Sequence, residues 1–317
     1  MARAFVFPGQ GSQAVGMGQA LAEAFPAARL VFEEVDDALK QHLTRLMFEG
    51  PEADLTLTEN AQPALMAVSM AVLRVLEDEG GIRLADKAAF VAGHSLGEYT
   101  ALAAAGALQL ADAARLLKRR GQAMQEAVPV GEGAMAALLG VDLPAAAEIA
   151  EAAVAAGEPD EVCAAANDNA PGQVVISGTR AAVERALAIA AERGAKRSVL
   201  LPVSAPFHCA LMQPAADVMA EALAEVPLTM PAVPLVANVT AAAVSDPETI
   251  RRLLVEQVTG MVRWRESVLF MKEQGVDTLV ELGAGKVLTG LARRIDRELE
   301  AVAVGQPADV EAVLRIL

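Results

Sequence analysis

The chain reads as an α/β protein, a larger domain on a mainly parallel sheet that carries a small inserted ferredoxin-like (βαββαβ) subdomain. Three observations predict this. Short apolar runs alternate with longer stretches of helical periodicity through most of its 317 residues. The composition, 54% hydrophobic but only 3% aromatic, requires a large aliphatic core and excludes a disordered or low-complexity chain. Between residues 130 and 200 the rhythm changes to strand, helix, strand, strand, helix, strand.

Residues 4–7 form a first apolar strand and residues 89–92 a second. Between them, apolar side chains recur at helical spacing over residues 30–39 and again at Leu65, Val68, Val72, Val75 and Leu76. The second of these helices stops at Gly80-Gly81, where paired glycines favour chain reversal. A further helix over residues 111–126 carries charge on one face through Arg115, Lys118 and Arg119. In the middle of the chain, strands fall at residues 135–139, 162–166, 174–177 and 198–201, with helices at 144–156 and 181–193. The earlier rhythm then resumes with strands near residues 235–237, 278–282 and 302–304. The larger domain is therefore expected to be discontinuous, residues 1–129 and 201–317, with residues 130–200 as the subdomain.

Charge and cysteine usage narrow the function classes. Lys and Arg number 26 against 41 Asp and Glu, a net charge of −15 that disfavours nonspecific binding to nucleic acid or anionic membranes. An acidic partner would need a local basic patch. Cys163 and Cys209 are too few for a disulfide framework and lack the CxxC pairing of a zinc ribbon, so a reducing compartment is expected. Residues 4–7 are too short an apolar run for a secretory signal. The most apolar stretch, residues 101–117, is interrupted by Gln109, Asp112 and Arg115 and falls short of the roughly 20 residues that span a bilayer. A cytoplasmic protein with no nucleic-acid or membrane partner is the expectation.

The strongest chemical signal is Gly93-His94-Ser95-Leu96-Gly97, a GxSxG between an apolar strand and an Ala-rich helix. A serine at so tight a turn sits in a strained backbone conformation, and side chains two residues either side would collide, so glycine is needed at both places. The helix amino terminus behind Ser95 favours negative charge developing there. Serine also needs a base at neutral pH. Of the three histidines, His42 lies in a charged helical stretch, and His94, adjacent to Ser95, should point away from the reacting face. His208, in Ala205-Pro206-Phe207-His208-Cys209, follows the strand that closes the subdomain. Nucleophile before histidine is the chain order of α/β-hydrolase-like sites, and a satisfied core histidine is the competing reading. No acidic third member can be picked out by spacing, and a backbone carbonyl orients an imidazole equally well.

A second glycine-rich segment, Phe7-Pro8-Gly9-Gln10-Gly11-Ser12-Gln13, follows the first strand. Gly9-x-Gly11-x-x-Ala14 imitates a dinucleotide fingerprint, but that fingerprint needs an acidic residue ending a second strand about 20 positions on. Asp36 and Asp37 lie instead in a helical pattern. The better reading is a loop that presents a backbone N–H to an oxyanion, alongside the N–H of Leu96.

Together these segments resemble the malonyl-CoA:acyl carrier protein transacylase family. The likeness is carried by FPGQGSQ at 7–13, GHSLGEY at 93–99, Arg120-Gly121, GQVVISG at 172–178, PFHC at 206–209 and ELGAGKVLTGL at 281–291, in family order over nearly the whole chain. The resemblance implies an α/β-hydrolase-like large domain with a ferredoxin-like insert. It also implies ping-pong acyl transfer for fatty-acid synthesis, in which malonyl-CoA acylates Ser95 and the phosphopantetheine thiol of acyl carrier protein then takes the malonyl group. His208 would be general base and acid, and the N–H groups of Gln10 and Leu96 the oxyanion hole. Arg120, at the end of the helix after the elbow, would clamp the malonyl carboxylate. A carbonyl in the stretch 262–264 would orient His208. Phe207 would crowd a substituent on the malonyl α-carbon, and Gln62 and Asn167 fall in segments near the family's pocket. Coenzyme A thioester enters as substrate, and neither a metal nor another cofactor is implied. Lys286, Arg293 and Arg294, with Lys196 and Arg197, are the candidate cations for docking an acidic carrier protein. One departure is Gly283-Ala284-Gly285, where the family pattern has proline in the middle, which bears on that turn rather than on the chemistry. Two rivals use the same residues: a thioesterase or esterase that passes the acyl group to water, and a noncatalytic module that binds carrier protein on this scaffold.

Overall fold

The structure, a computed structural model, describes residues 2–317. Its strands are β1 (Ala2–Phe7), β2 (Phe90–Gly93), β3 (Gly133–Leu139), β4 (Cys163–Ala170), β5 (Gln173–Thr179), β6 (Arg197–Leu200), β7 (Leu235–Ala237), β8 (Ala242–Val244), β9 (Val276–Leu282) and β10 (Glu300–Val304). They form two sheets. One has the order β10-β9-β1-β2-β7-β8 and is parallel except for β8, and the other is antiparallel with the order β4-β5-β3-β6.

Alternation along β1 explains its central place. Phe5 and Phe7 enter the apolar core on one face, Ala4 and Val6 the core on the other, and β2 divides likewise between Val91 and Ala92. Cover on both faces is what a parallel sheet requires. Phe7 stands opposite Gly93 in parallel register, so the loop after β1 and the turn after β2 leave the sheet side by side at its carboxyl end. The helix Thr58–Gly80 packs against this sheet and is buried on nearly every side from Thr58 to Leu76. It ends where Gly81, at φ 58°, turns the chain in the left-handed region. The helix Leu110–Ala127 lies against it.

In the antiparallel sheet, Ala134, Ala136 and Leu138 of β3 and Val174 and Ile176 of β5 turn to one side. There they meet Ile149, Val183 and Ala186 from the helices Leu143–Ala155 and Arg180–Glu192. That is the βαββαβ unit expected from the change of rhythm. β4 also binds the larger body. The Asp168 N–H donates to the Val262 carbonyl at 3.0 Å, the Val262 N–H to the Ala166 carbonyl at 2.9 Å, and Arg265 pairs with the buried Asp168 at 2.8 Å.

β8, a three-residue edge strand too short for alternation to show, is absent from the sequence reading. The Ala-rich helix opened by the elbow and the further helix expected over residues 111–126 are two separate helices, Gly97–Ala104 and Leu110–Ala127. The carbonyls of Ala105 and Ala107 in the intervening turn accept from Ala232 and Thr229 instead of continuing the helix. Among the described residues, no helix is long and apolar enough to cross a membrane.

Candidate active site

The turn after β2 is as cramped as its glycines imply. A Cβ on Gly93 would lie 1.9 Å from the Gly97 carbonyl, and one on Gly97 would lie 2.2 Å from the Phe7 carbonyl oxygen. Between them Ser95 is held at φ 54°, a left-handed conformation that serine adopts only under constraint. Asn238 supplies part of that constraint. Its Oδ1 accepts from the Ser95 N–H at 2.8 Å, while its Nδ2 donates to the Gly93 carbonyl at 2.7 Å.

His208, also at positive φ (58°), lies in the loop between β6 and the helix Gln213–Glu225 and is buried. Its Nε2 is 2.8 Å from Ser95 Oγ. Its Nδ1 lies 2.9 Å from the Gln257 carbonyl and 3.1 Å from that of Gly260. Carbonyls only accept, so the ring proton belongs on Nδ1 and Nε2 is left to accept the serine proton. Burial, then the charge of Arg120, drives the imidazole down to about 3 against the opposing pull of the Gln257 carbonyl, which keeps the ring neutral, with Nε2 free to accept a proton. The orienting carbonyls therefore come not from residues 262–264 but from the end of the helix Pro247–Thr259 and the residue after it. The last turn of a helix has carbonyls without intrahelical partners. The Val262 carbonyl is already occupied by Asp168.

The other two histidines stay out of the chemistry. His94 packs its ring 5.7 Å from that of Trp264 and bonds through Nε2 to Asn169 Oδ1 at 2.8 Å. His42 is exposed at the start of the short helix Leu43–Glu49. Asp36 and Asp37 are helical, in Pro26–Leu39, where Asp36 accepts from the Thr44 N–H.

Arg120 lies within the second of the two helices, Leu110–Ala127, rather than at the end of the elbow helix, and is only 1% exposed. Nη1 donates to Gln62 Oε1 at 2.8 Å, and Nη2 to Gln257 Oε1 at 2.7 Å and to Ser95 Oγ at 3.2 Å. The guanidinium also sits 5.7 Å from the centre of the Tyr99 ring, and its Nε is buried without a partner. None of the groups it bonds to is charged. A buried cation so placed is costly unless an anion joins it, and its Nη2 stands against the serine hydroxyl.

Gln62 is joined to the first loop as well. Its Nε2 donates to Thr58 Oγ1 at 2.9 Å, and that hydroxyl donates to Gln10 Oε1 at 2.9 Å. The main-chain N–H groups of Gln10 and Leu96 take part in no backbone hydrogen bond among the described residues. Of the remaining expected site residues, Phe207 is buried in the main core directly before His208. Asn167 is not brought into the network. It pairs along β4 with Val175 and Val262, and its side chain bonds to none of Ser95, His208 or Arg120. The turn Gly283-Ala284-Gly285 takes φ 136° at its first and 81° at its last residue.

Three buried polar residues escaped the sequence reading: Asn238, Gln257 and Glu98. Gln257 Nε2 donates to the Ser95 carbonyl at 2.9 Å and to Glu98 Oε2 at 2.6 Å. Glu98 carried the one usable signal, since it follows the elbow serine by three residues, but an acid in the first turn of a helix is ordinarily read as a response to the helix dipole.

Residues 4–309 match the family described as acyl transferase domain. The malonyl CoA-acyl carrier protein transacylase of Escherichia coli strain K12 is 48% identical over 313 residues, 99% of this chain and 99% of that protein. The corresponding protein of Bacillus subtilis strain 168 is 45% identical over 314 residues, 99% of this chain and 96% of that one. Among solved structures, the acyl-carrier-protein S-malonyltransferase of Bartonella henselae superposes with a TM-score of 0.96 at 59% identity, covering 100% of this chain and 99% of the other. A malonyl-transacylase solved in complex with a type II PKS acyl carrier protein gives 0.95 at 44% identity, with 100% of each chain covered. Likeness of this extent, end to end and joined to a serine, histidine and arginine in one buried network, makes the chain a member of the acyl transferase domain family and, within it, of the malonyl CoA-acyl carrier protein transacylases.

Proposed function

We propose that the chain moves a malonyl group from coenzyme A to the phosphopantetheine thiol of acyl carrier protein, through a malonyl ester on Ser95, to supply fatty-acid synthesis. The observation that carries this reading is Arg120, a buried cation bonded only to neutral groups, 3.2 Å from the nucleophile. A malonyl carboxylate is separated from the thioester carbon by a single methylene, so a clamp for it has to stand this close to the attacking oxygen. His208 takes the Ser95 proton through Nε2 as Oγ attacks the thioester carbon. Negative charge then develops on the carbonyl oxygen, which the N–H groups of Gln10 and Leu96 stabilise. The tetrahedral intermediate collapses, the C–S bond breaks, and His208 returns the proton to the departing coenzyme A thiol. The carrier thiol repeats the sequence in reverse. No step requires a cofactor beyond the thioester substrate.

Mass spectrometry of the intact chain after brief exposure to malonyl-CoA tests the reading directly: one malonyl adduct on Ser95 is expected. The absence of any adduct would revive a noncatalytic binding module. A preformed adduct that passes to water as fast as to carrier thiol would make the protein a thioesterase.

We also propose the division into residues 1–129 with 201–317, and residues 130–200. Exposed cations lie on both parts. Lys286, Arg293 and Arg294 are exposed, and Arg294 reaches Gln173 of β5 at 2.7 Å. Lys196 and Arg197 are exposed beside Gly140, whose N–H donates to Gly172. None of the five forms an ion pair with a described residue. Carrier proteins of this kind are acidic and the enzyme itself is at −15, so these cations have to overcome long-range repulsion. Reversing their charge is expected to raise the KM for carrier protein while leaving acylation by malonyl-CoA unchanged. Equal effects on both half-reactions, measured separately, would exclude a docking role.

Phe207 is the proposed steric limit on the malonyl α-carbon. Phe207→Ser should narrow the preference for malonyl over methylmalonyl thioesters by about tenfold, the scale on which a pocket distinguishes one carbon. An unchanged ratio of kcat/KM values would return Phe207 to core packing alone.

A further inference from the structure

Glu98 is a buried carboxyl beside the site that the mechanism above leaves without a task. It is 1% exposed, and its Oε2 accepts from Gln257 Nε2 at 2.6 Å and from the Asn238 N–H at 3.4 Å. Gln257 in turn touches each working part: Oε1 accepts from Arg120 Nη2, Nε2 donates to the Ser95 carbonyl, and the main-chain carbonyl accepts from His208 Nδ1.

An amide side chain has nearly the same shape when its oxygen and nitrogen are exchanged, so its partners decide which end faces which. A guanidinium only donates, and the fork of Arg120 therefore needs the oxygen of Gln257. An ionised carboxylate only accepts, and Glu98 therefore needs the nitrogen. The two demands agree, and the Ser95 carbonyl and Asn238 Oδ1, which accept from the same nitrogen at 2.9 and 3.3 Å, ask for the same orientation. Glu98 makes the shortest of these contacts, at 2.6 Å, and a protonated acid, or an amide in its place, can donate to Gln257 Oε1 instead and so loosens the hold on the amide.

We propose that the Glu98 carboxylate is a positioning residue: it pins the Gln257 amide with its oxygen on Arg120 and so keeps the guanidinium fork aligned for the malonyl carboxylate. This rests on the reading of Arg120 as the carboxylate clamp. The charged and titratable groups that face Glu98 are Arg120 from the helix Leu110–Ala127 and Tyr99 from its own helix, while Gln257 and Asn238 are neutral. Burial pushes the Glu98 carboxyl up to about 7, against the opposing pull of Gln257, Asn238 and Arg120. The constraint should then weaken as the pH falls through neutrality, because the carboxyl gains a proton.

The test measures kcat/KM for malonyl-CoA and acetyl-CoA with the full chain, wild type and Glu98→Gln, from about pH 8 to about pH 6. Taking the ratio of the two cancels the titration of coenzyme A and of His208, which both substrates share. Glu98→Gln is expected to lower the malonyl-to-acetyl ratio by roughly tenfold or more, chiefly through KM for malonyl-CoA, as loss of a hydrogen bond to a charged group does. The wild-type ratio should fall toward acid while that of Glu98→Gln stays flat. A Glu98→Gln ratio equal to wild type, or equal losses with both substrates, would overturn the proposal. Should the variant not fold, a wild-type ratio that is flat across the same range overturns it. A wild type that takes up no malonyl group at all would instead defeat the reading of the substrate, which separates the two failures.

Discussion

Replacing Arg120 with alanine is expected to lower kcat/KM for malonyl-CoA by roughly 30- to 5,000-fold, the equivalent of the about 2–5 kcal/mol lost when one partner of a buried charge pair is truncated. Transfer from acetyl-CoA should stay level or improve, because acetyl has no carboxylate and the uncompensated buried cation is gone. Arg120→Lys should fall between the two, retaining the charge but not the two parallel hydrogen bonds of the planar fork. A second consequence concerns pH. The charge of Arg120 is, after burial, the larger of the influences that hold His208 down to about 3. Without it the imidazolium is favoured, so the acid limb of the pH–rate profile for acetyl transfer should move to higher pH in Arg120→Ala. Equal losses with both acyl groups would make Arg120 a structural residue.

Ser95→Ala should remain folded and take up no malonyl group, with a loss in kcat of about six orders of magnitude by analogy with serine hydrolases. Folding is expected to survive because the elbow is held by main-chain bonds that alanine retains. These are the residue 95 N–H to Asn238 and its carbonyl to Gln257. His208→Ala should cost nearly as much, since nucleophile and base act as a unit. Intact-mass measurement after brief exposure to malonyl-CoA reads both variants, and a stable malonyl ester on any residue other than Ser95 in the wild type would overturn the assignment.

The sequence by itself determined the inserted βαββαβ unit, the strained turn at Ser95 and the pairing of His208 with it. Each of these is written in neighbouring residues. Short apolar runs mark β1 and β9, the exclusion of a Cβ at Gly93 and Gly97 marks the elbow, and a chain with three histidines leaves few candidates to pair with Ser95. Tertiary structure alone decided which carbonyls orient His208 and which polar groups brace the elbow, and it supplies the physical reason why, of three consecutive cations, Arg120 enters the site. Lys118, Arg119 and Arg120 look alike in sequence. Successive residues on a helix are turned by about 100°. Lys118 consequently pairs with Glu59, Arg119 faces solvent, and Arg120 points inward to Gln62, Gln257 and Ser95. The facing surfaces that make this rotation matter belong to segments far apart in the chain, and a buried polar atom acquires its partner only where those segments are packed together.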